Sequence, residues 1–205
     1  DLVLISASVS MLQRMLDKCS QIAASISMQF NAKKSNIMRF GPKYRHQDIC
    51  LTLGGLKIQV VSTARYLGVF LVAARRFKVS FDEAKRKFFR SINGIFAKCK
   101  SRMNELTMLH LINMYCKPFL TYAIECMPLL KSDLCSLQSA YNLVYYKLFD
   151  ISDQSNIHET GRMFNILPFI EYHEQRSEGY CSIACTSQNF VLSELANYHV
   201  VMSHR

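Results

Sequence analysis

Asp1-Leu2-Val3-Leu4-Ile5-Ser6, followed by Leu12 to Ile26 and then by Phe30-Asn31-Ala32-Lys33-Lys34-Ser35, is the stretch whose reading decides the fold. Its first six residues put an acid ahead of an apolar run too short for a helix and bounded by small polar residues, which predicts a buried strand. From Leu12 the apolar positions are Met15, Leu16, Cys19, Ile22, Ala23 and Ile26, the spacing of one helical face, with Arg14, Asp17, Lys18 and Gln21 turned outward. Ser8 or Ser10 is placed to cap its start. An Asn turn and a Lys pair then lead to a second apolar run, Ile37-Met38-Arg39-Phe40. Strand, helix and strand would bring an acidic strand end and a lysine into one neighbourhood.

Outward from this unit, Gly41-Pro42 opens a polar loop through Tyr44, Arg45, His46, Gln47 and Asp48. Two short apolar segments, Ile49–Leu53 and Leu56–Val60, flank Gly54-Gly55, and paired glycines accept the positive φ of a tight primed turn, so a hairpin is expected. Tyr66 to Leu71 reads as a further apolar strand. From Ser80 the period becomes helical: Phe81, Ala84, Phe88, Ile92, Ile95, Phe96 and Cys99 form one stripe, with Lys85, Arg86, Lys87, Arg90, Lys98 and Lys100 mainly off it. A second helix is expected from Leu106 to Tyr115, with Pro118 kinking or interrupting it, and a third from Leu134 to Phe149 after a cap at Ser132-Asp133. Ile157 to Leu167 and Glu171 to Ala184 read as shorter helices. The period change places a boundary near residues 72 to 80.

The chain has 205 residues, half of them apolar, and a formal net charge of +10. That composition belongs to a folded protein and not a disordered tail. There is no apolar run long enough to span a bilayer, and no basic region precedes the first apolar stretch, so neither membrane insertion nor a signal peptide is expected. Eight cysteines without framework spacing point to reduced thiols and an intracellular setting, nucleus or cytoplasm. Charge is uneven. Residues 75 to 102 hold ten Lys and Arg against two acids, whereas residues 103 to 205 hold six against ten. A basic stretch of that density predicts a polyanion partner.

At these residues the chain resembles the reverse transcriptase of non-LTR (LINE-type, jockey-like) retrotransposons. There a Tyr-Ala-Asp-Asp turn precedes an apolar strand, a helix and an Asn-x-x-Lys-Ser signature, with which Asp1 and Asn31 to Ser35 align. Arg65-Tyr66-Leu67-Gly68-Val69-Phe70-Leu71 is similar to the family's primer-grip segment, and Phe77 to Lys100 with Cys116 to Glu125 to the start of its thumb. The resemblance runs over roughly residues 1 to 150.

It implies an α+β fold: a truncated polymerase palm (short antiparallel sheet plus helix) over residues 1–74, a helical thumb-like domain over 75–150, and a helical extension of unassigned role over 151–205. The implied function is that of an RNA-directed DNA polymerase fragment using Mg2+, an RNA template, a DNA primer and deoxynucleoside triphosphates. Asp1 would be a metal ligand and Lys34 a cation beside the leaving pyrophosphate. Tyr66, Leu67 and Gly68 would hold the primer, and Lys85, Arg86, Lys87, Arg90 and Lys98 the duplex phosphates. One carboxylate cannot hold two magnesium ions, so inactivity as this piece is expected. Departures at Thr121, Ala123 and Leu143 from the family's usual residues agree with a decayed copy. The alternative is a non-catalytic, basic helical nucleic-acid-binding module. Cys181, Cys185, His199 and His204 approximate a zinc-finger spacing without matching it.

Overall fold

The computed structural model describes residues 2–46, 48–99, 102–127 and 129–194. It is a mixed α and β structure whose described residues divide into two compact units on either side of the Ser80–Phe81 bond.

In the first unit, helix α1 (Val9–Ser25) precedes strands β1 (Asn36–Ile37), β2 (Thr52–Leu53), β3 (Leu56–Lys57) and β4 (Gln59–Val60). The expected hairpin forms. β2 and β3 pair antiparallel around Gly54 (φ +58°) and Gly55 (φ +79°), the two positive values a primed turn requires. A small core of Ala32, Ile37, Ile49, Leu51, Leu53 and Ile58 lies beneath α1, which reaches it through Leu12 and Leu16. Gln13 on α1 then serves as a substitute strand edge. Its side-chain amide donates to the Thr52 carbonyl (2.9 Å) and accepts from the Thr52 N–H (2.9 Å), satisfying backbone groups of β2 that no strand pairs.

Three expectations fail here. Leu2–Ser6 forms no strand, and Leu2, Val3 and Ile5 are exposed, because no described strand lies beside the segment to complete its ladder. The apolar stripe of α1 is covered only in part: Ala23 is buried, but Ile22 and Ile26 are exposed, since the underlying core is too short to reach them. Nor is there one antiparallel sheet, because β1 and β4 pair parallel as a two-stranded sheet of their own.

The first unit ends in a three-stranded antiparallel sheet of β5 (Thr63–Tyr66), β6 (Val69–Val72) and β7 (Lys78–Ser80), with β6 central. Tyr66 to Leu71 is therefore not one strand. Leu67 (φ +45°) and Gly68 (φ +87°) turn the chain back on itself, and Tyr66 faces Val69 across the ladder.

The second unit is helical: α2 (Asp82–Cys99), α3 (Glu105–Tyr115), α4 (Lys117–Thr121), a 3-10 turn at Ile124–Cys126, α5 (Lys131–Phe149), α6 (Gln154–Met163) and α7 (Phe169–Cys185). Asn104 caps α3 by accepting from Thr107 N–H at 2.8 Å. Pro118 does not kink α3. The helix has already ended at Tyr115, and the proline lies in the first turn of α4, where its missing N–H costs nothing. α5 begins at Lys131 rather than after a Ser132-Asp133 cap, because the Asp133 carboxylate reaches back to accept from Leu130 N–H at 3.1 Å.

One core joins the helices. Phe88 and Ile92 of α2 meet Leu109 and Ile112 of α3, Leu120 of α4, Leu137, Tyr141 and Val144 of α5, Ile157 of α6 and Phe169 of α7. The helices beyond residue 150 thus share the packing of the helices before it. Lys117 lies over the rings of Tyr172 (4.7 Å), Tyr141 (5.5 Å) and Phe169 (5.9 Å), and burial holds its ammonium below the usual lysine range.

Tyr141 and Tyr145 sit in this core, and the Tyr141 hydroxyl donates to Asn113 Oδ1 at 2.5 Å. Burial pushes the Tyr145 phenol up to about 12 and Tyr141 further still. A folded-state value above the unfolded one of about 10 gives stability that is complete below pH 10 and lost as pH rises through 10 toward 12. Thermal unfolding followed by circular dichroism at pH 8, 10 and 11 is expected to show a midpoint that falls above pH 10. A flat midpoint across that window contradicts the burial of these phenols.

Candidate nucleic-acid interface

The Asn31–Ser35 segment closes on itself. The Asn31 side-chain oxygen accepts from the N–H groups of Lys33 (3.0 Å) and Lys34 (3.3 Å), and the Ser35 hydroxyl donates to the Asn31 carbonyl (2.9 Å). The turn residue and the serine thus bracket a single helical turn, Ala32–Lys34, that enters β1. Ala32 is buried beneath it and the Lys34 side chain is exposed, so the segment presents a cation on a locally braced turn. Asp1, expected as catalytic carboxylate and metal ligand, lies outside the described residues, and so does any relation between it and Lys34 or Tyr66.

Tyr66, Leu67 and Gly68 form the tip of the β5–β6 hairpin. Tyr66 is half-buried, whereas Leu67 is 60% exposed and holds a backbone conformation that costs an L residue about 1–2 kcal/mol. Gly68 follows it at the φ that glycine alone adopts freely. An apolar side chain held outward on a strained turn suits contact with another surface better than it suits this hairpin's own stability. Arg65 beside the tip is exposed as well.

On α2 the basic residues separate by partner. Lys85 is half-buried and donates to Ser136 Oγ at 2.5 Å, and Arg86 pairs with Glu83 at 3.3 Å. Lys87 is half-exposed, and Arg90 and Lys98 are exposed. With about 100° of rotation per residue, Arg86, Lys87, Arg90 and Lys98 fall within a sector of about 120° opposite Phe88 and Ile92. The charge is therefore one-sided: the inner face is core and the outer face is a row of cations. Asp82 and Glu83, the two acids of the helix, lie in its first turn, where they complement the dipole. Lys100 lies outside the described residues.

Two features went unread in the sequence. Gln13 bonds to the backbone of a strand 39 residues away, a link that no local pattern signals. Arg75 and Arg76 precede β7 in a loop that a backbone hydrogen bond, Gly41 N–H to the Ala74 carbonyl (3.0 Å), ties to the Gly41–His46 turn. Their density in the sequence was visible, but their neighbours were not.

Among the described residues no cluster of three His, Cys, Asp or Glu side chains could hold a metal ion. Cys181 and Cys185 lie on α7, half-exposed, while His199 and His204 lie outside the described residues. All eight cysteines are free thiols. No described helix is long and apolar enough to cross a membrane. No protein-family model matches the chain, nor does any curated protein or solved structure.

Proposed function

We propose that this chain is the C-terminal palm and thumb portion of a LINE-type reverse transcriptase, and that it acts on a template-primer by gripping phosphates. The observation that carries the reading is the one-sided distribution of cations on α2, with core on one face and Arg86, Lys87, Arg90 and Lys98 on the other. In this reading the first unit is what remains of the palm. Its Asn31 turn holds Lys34 out toward a leaving pyrophosphate, and the Leu67–Gly68 tip meets the primer strand, the glycine admitting a sugar-phosphate backbone at close range.

Nucleotide addition would require Asp1 together with carboxylates that the described residues do not supply, so the reading assigns this chain binding rather than chemistry. The second reading, a basic helical module that holds nucleic acid without any polymerase history, rests on the same face of α2 and needs neither Asp1 nor Lys34. Translation of the coding sequence immediately ahead of Asp1 separates them. Tyr-Ala-Asp, preceded by a further Asp-bearing strand, supports the polymerase; an unrelated exon or a stop codon overturns it and leaves the binding module.

A further inference from the structure

We infer that the first unit carries its own binding surface for a single-stranded polynucleotide, built where the Gly41–His46 turn meets the Ala73–Lys78 loop. The two segments are distant in sequence and are joined at two points. Gly41 N–H donates to the Ala74 carbonyl at 3.0 Å, and the rings of Phe40 and Phe77 pack 5.5 Å apart at a tilt of 36°. Around that junction stand Lys43 and Arg45 from one segment and Arg75, Arg76 and Lys78 from the other, all exposed. Neither segment contains an acid. The nearest acid along the chain, Asp48, is engaged by Arg39 at 3.3 Å.

The aromatic residues decide which polyanion fits. Phe40 is 38% exposed and Phe77 48%, and Tyr44 is half-exposed with the Arg45 guanidinium over its ring at 5.4 Å, held by a 2.9 Å bond from Nε to the Tyr44 hydroxyl. A duplex offers cations its phosphates but hides the faces of its bases. Exposed rings set among cations gain a stacking partner only where bases are unpaired. The surface therefore takes phosphates on its five cations and one or more bases on Phe40, Phe77 or the Tyr44–Arg45 pair. It lies in the other compact unit from α2 and does not rest on the reading of that helix.

The test uses the whole chain and a fluorescent dT oligonucleotide. Arg75→Gln with Arg76→Gln is expected to flatten the plot of log affinity against log salt by about 1.4, at 0.7 per lost contact with a single strand. Phe77→Ala is expected to weaken binding about tenfold while leaving that slope in place, and Phe77→Trp to retain binding with its fluorescence quenched by the oligonucleotide. Because Phe77→Ala also removes the Phe40 contact, the tryptophan variant separates lost stacking from a loosened loop. Unchanged affinity and slope in the double arginine variant overturn the proposal. So does Phe77→Trp fluorescence that responds to anionic lipid vesicles and not to the oligonucleotide, which would make the patch a membrane-surface contact.

Discussion

Changing Lys87, Arg90 and Lys98 together to glutamine is expected to lower the affinity of the chain for a DNA duplex by about two to three orders of magnitude at 0.1 M salt. Each phosphate contact made by a cation releases condensed counterion and contributes about 0.9 to the slope of log affinity against log salt, so three lost contacts flatten it by about 2.7. The three are chosen because they face outward without an ion pair or side-chain hydrogen bond among the described residues. Lys85 and Arg86 serve as the internal comparison. Their charges are already engaged by Ser136 and Glu83, so Lys85→Gln with Arg86→Gln should flatten the slope by less than two full contacts. Surface Lys and Arg lose little in such an exchange, and the free energy of unfolding in urea should stay within about 0.5 kcal/mol of the parent. A slope that the triple variant leaves unchanged removes α2 as the phosphate-binding element, and the proposed thumb role goes with it.

The contrast between Lys85 and Lys87 also marks how far the sequence could be read. The sequence sets both mainly off the core stripe of α2. At about 100° per residue, however, Lys85 falls between Ile92 and Phe96 on that stripe, half-buried and donating to Ser136, 51 residues away on α5, whereas Lys87 does lie off it. Local chemistry was legible wherever a single residue sets the backbone. Gly54-Gly55 forced the hairpin, and Asn31 closed its own turn. It was not legible where the deciding partner is remote or missing. Leu2–Ile5 has a strand's composition, but a strand exists only when a neighbour accepts its hydrogen bonds, and none of the described residues does. Gly68 reads as part of a continuous strand, and nothing in Leu67 signals that a branched apolar residue takes the first positive φ of the turn that breaks it. The Phe40–Phe77 junction belongs to the same class, since each ring is an ordinary loop residue until Gly41 meets Ala74.

Phe88→Ala is expected to cost the second unit about 3–5 kcal/mol, a large part of the roughly 5–15 kcal/mol that holds a domain folded. Phe88 is fully buried, and its ring lies 6.2 Å from that of Tyr141, which in turn packs edge-on to Tyr145 at 5.8 Å and against Phe169 at 5.9 Å. Truncation removes α2's share of a cluster that also anchors α5 and α7, and the void is bounded by helices on several sides, which limits how far the site can collapse. Urea unfolding followed by helical circular dichroism measures the loss, and a cost below about 1 kcal/mol would contradict the packing described. The conservative Phe88→Leu change keeps the site filled and should cost much less. Binding then follows folding and not charge. Phe88→Ala keeps every cation of α2, so at urea concentrations where it is unfolded and the parent is not, duplex affinity falls although the formal charge is unchanged. The cations of α2 act as a row because Phe88 and Ile92 fix which side of the helix faces the core.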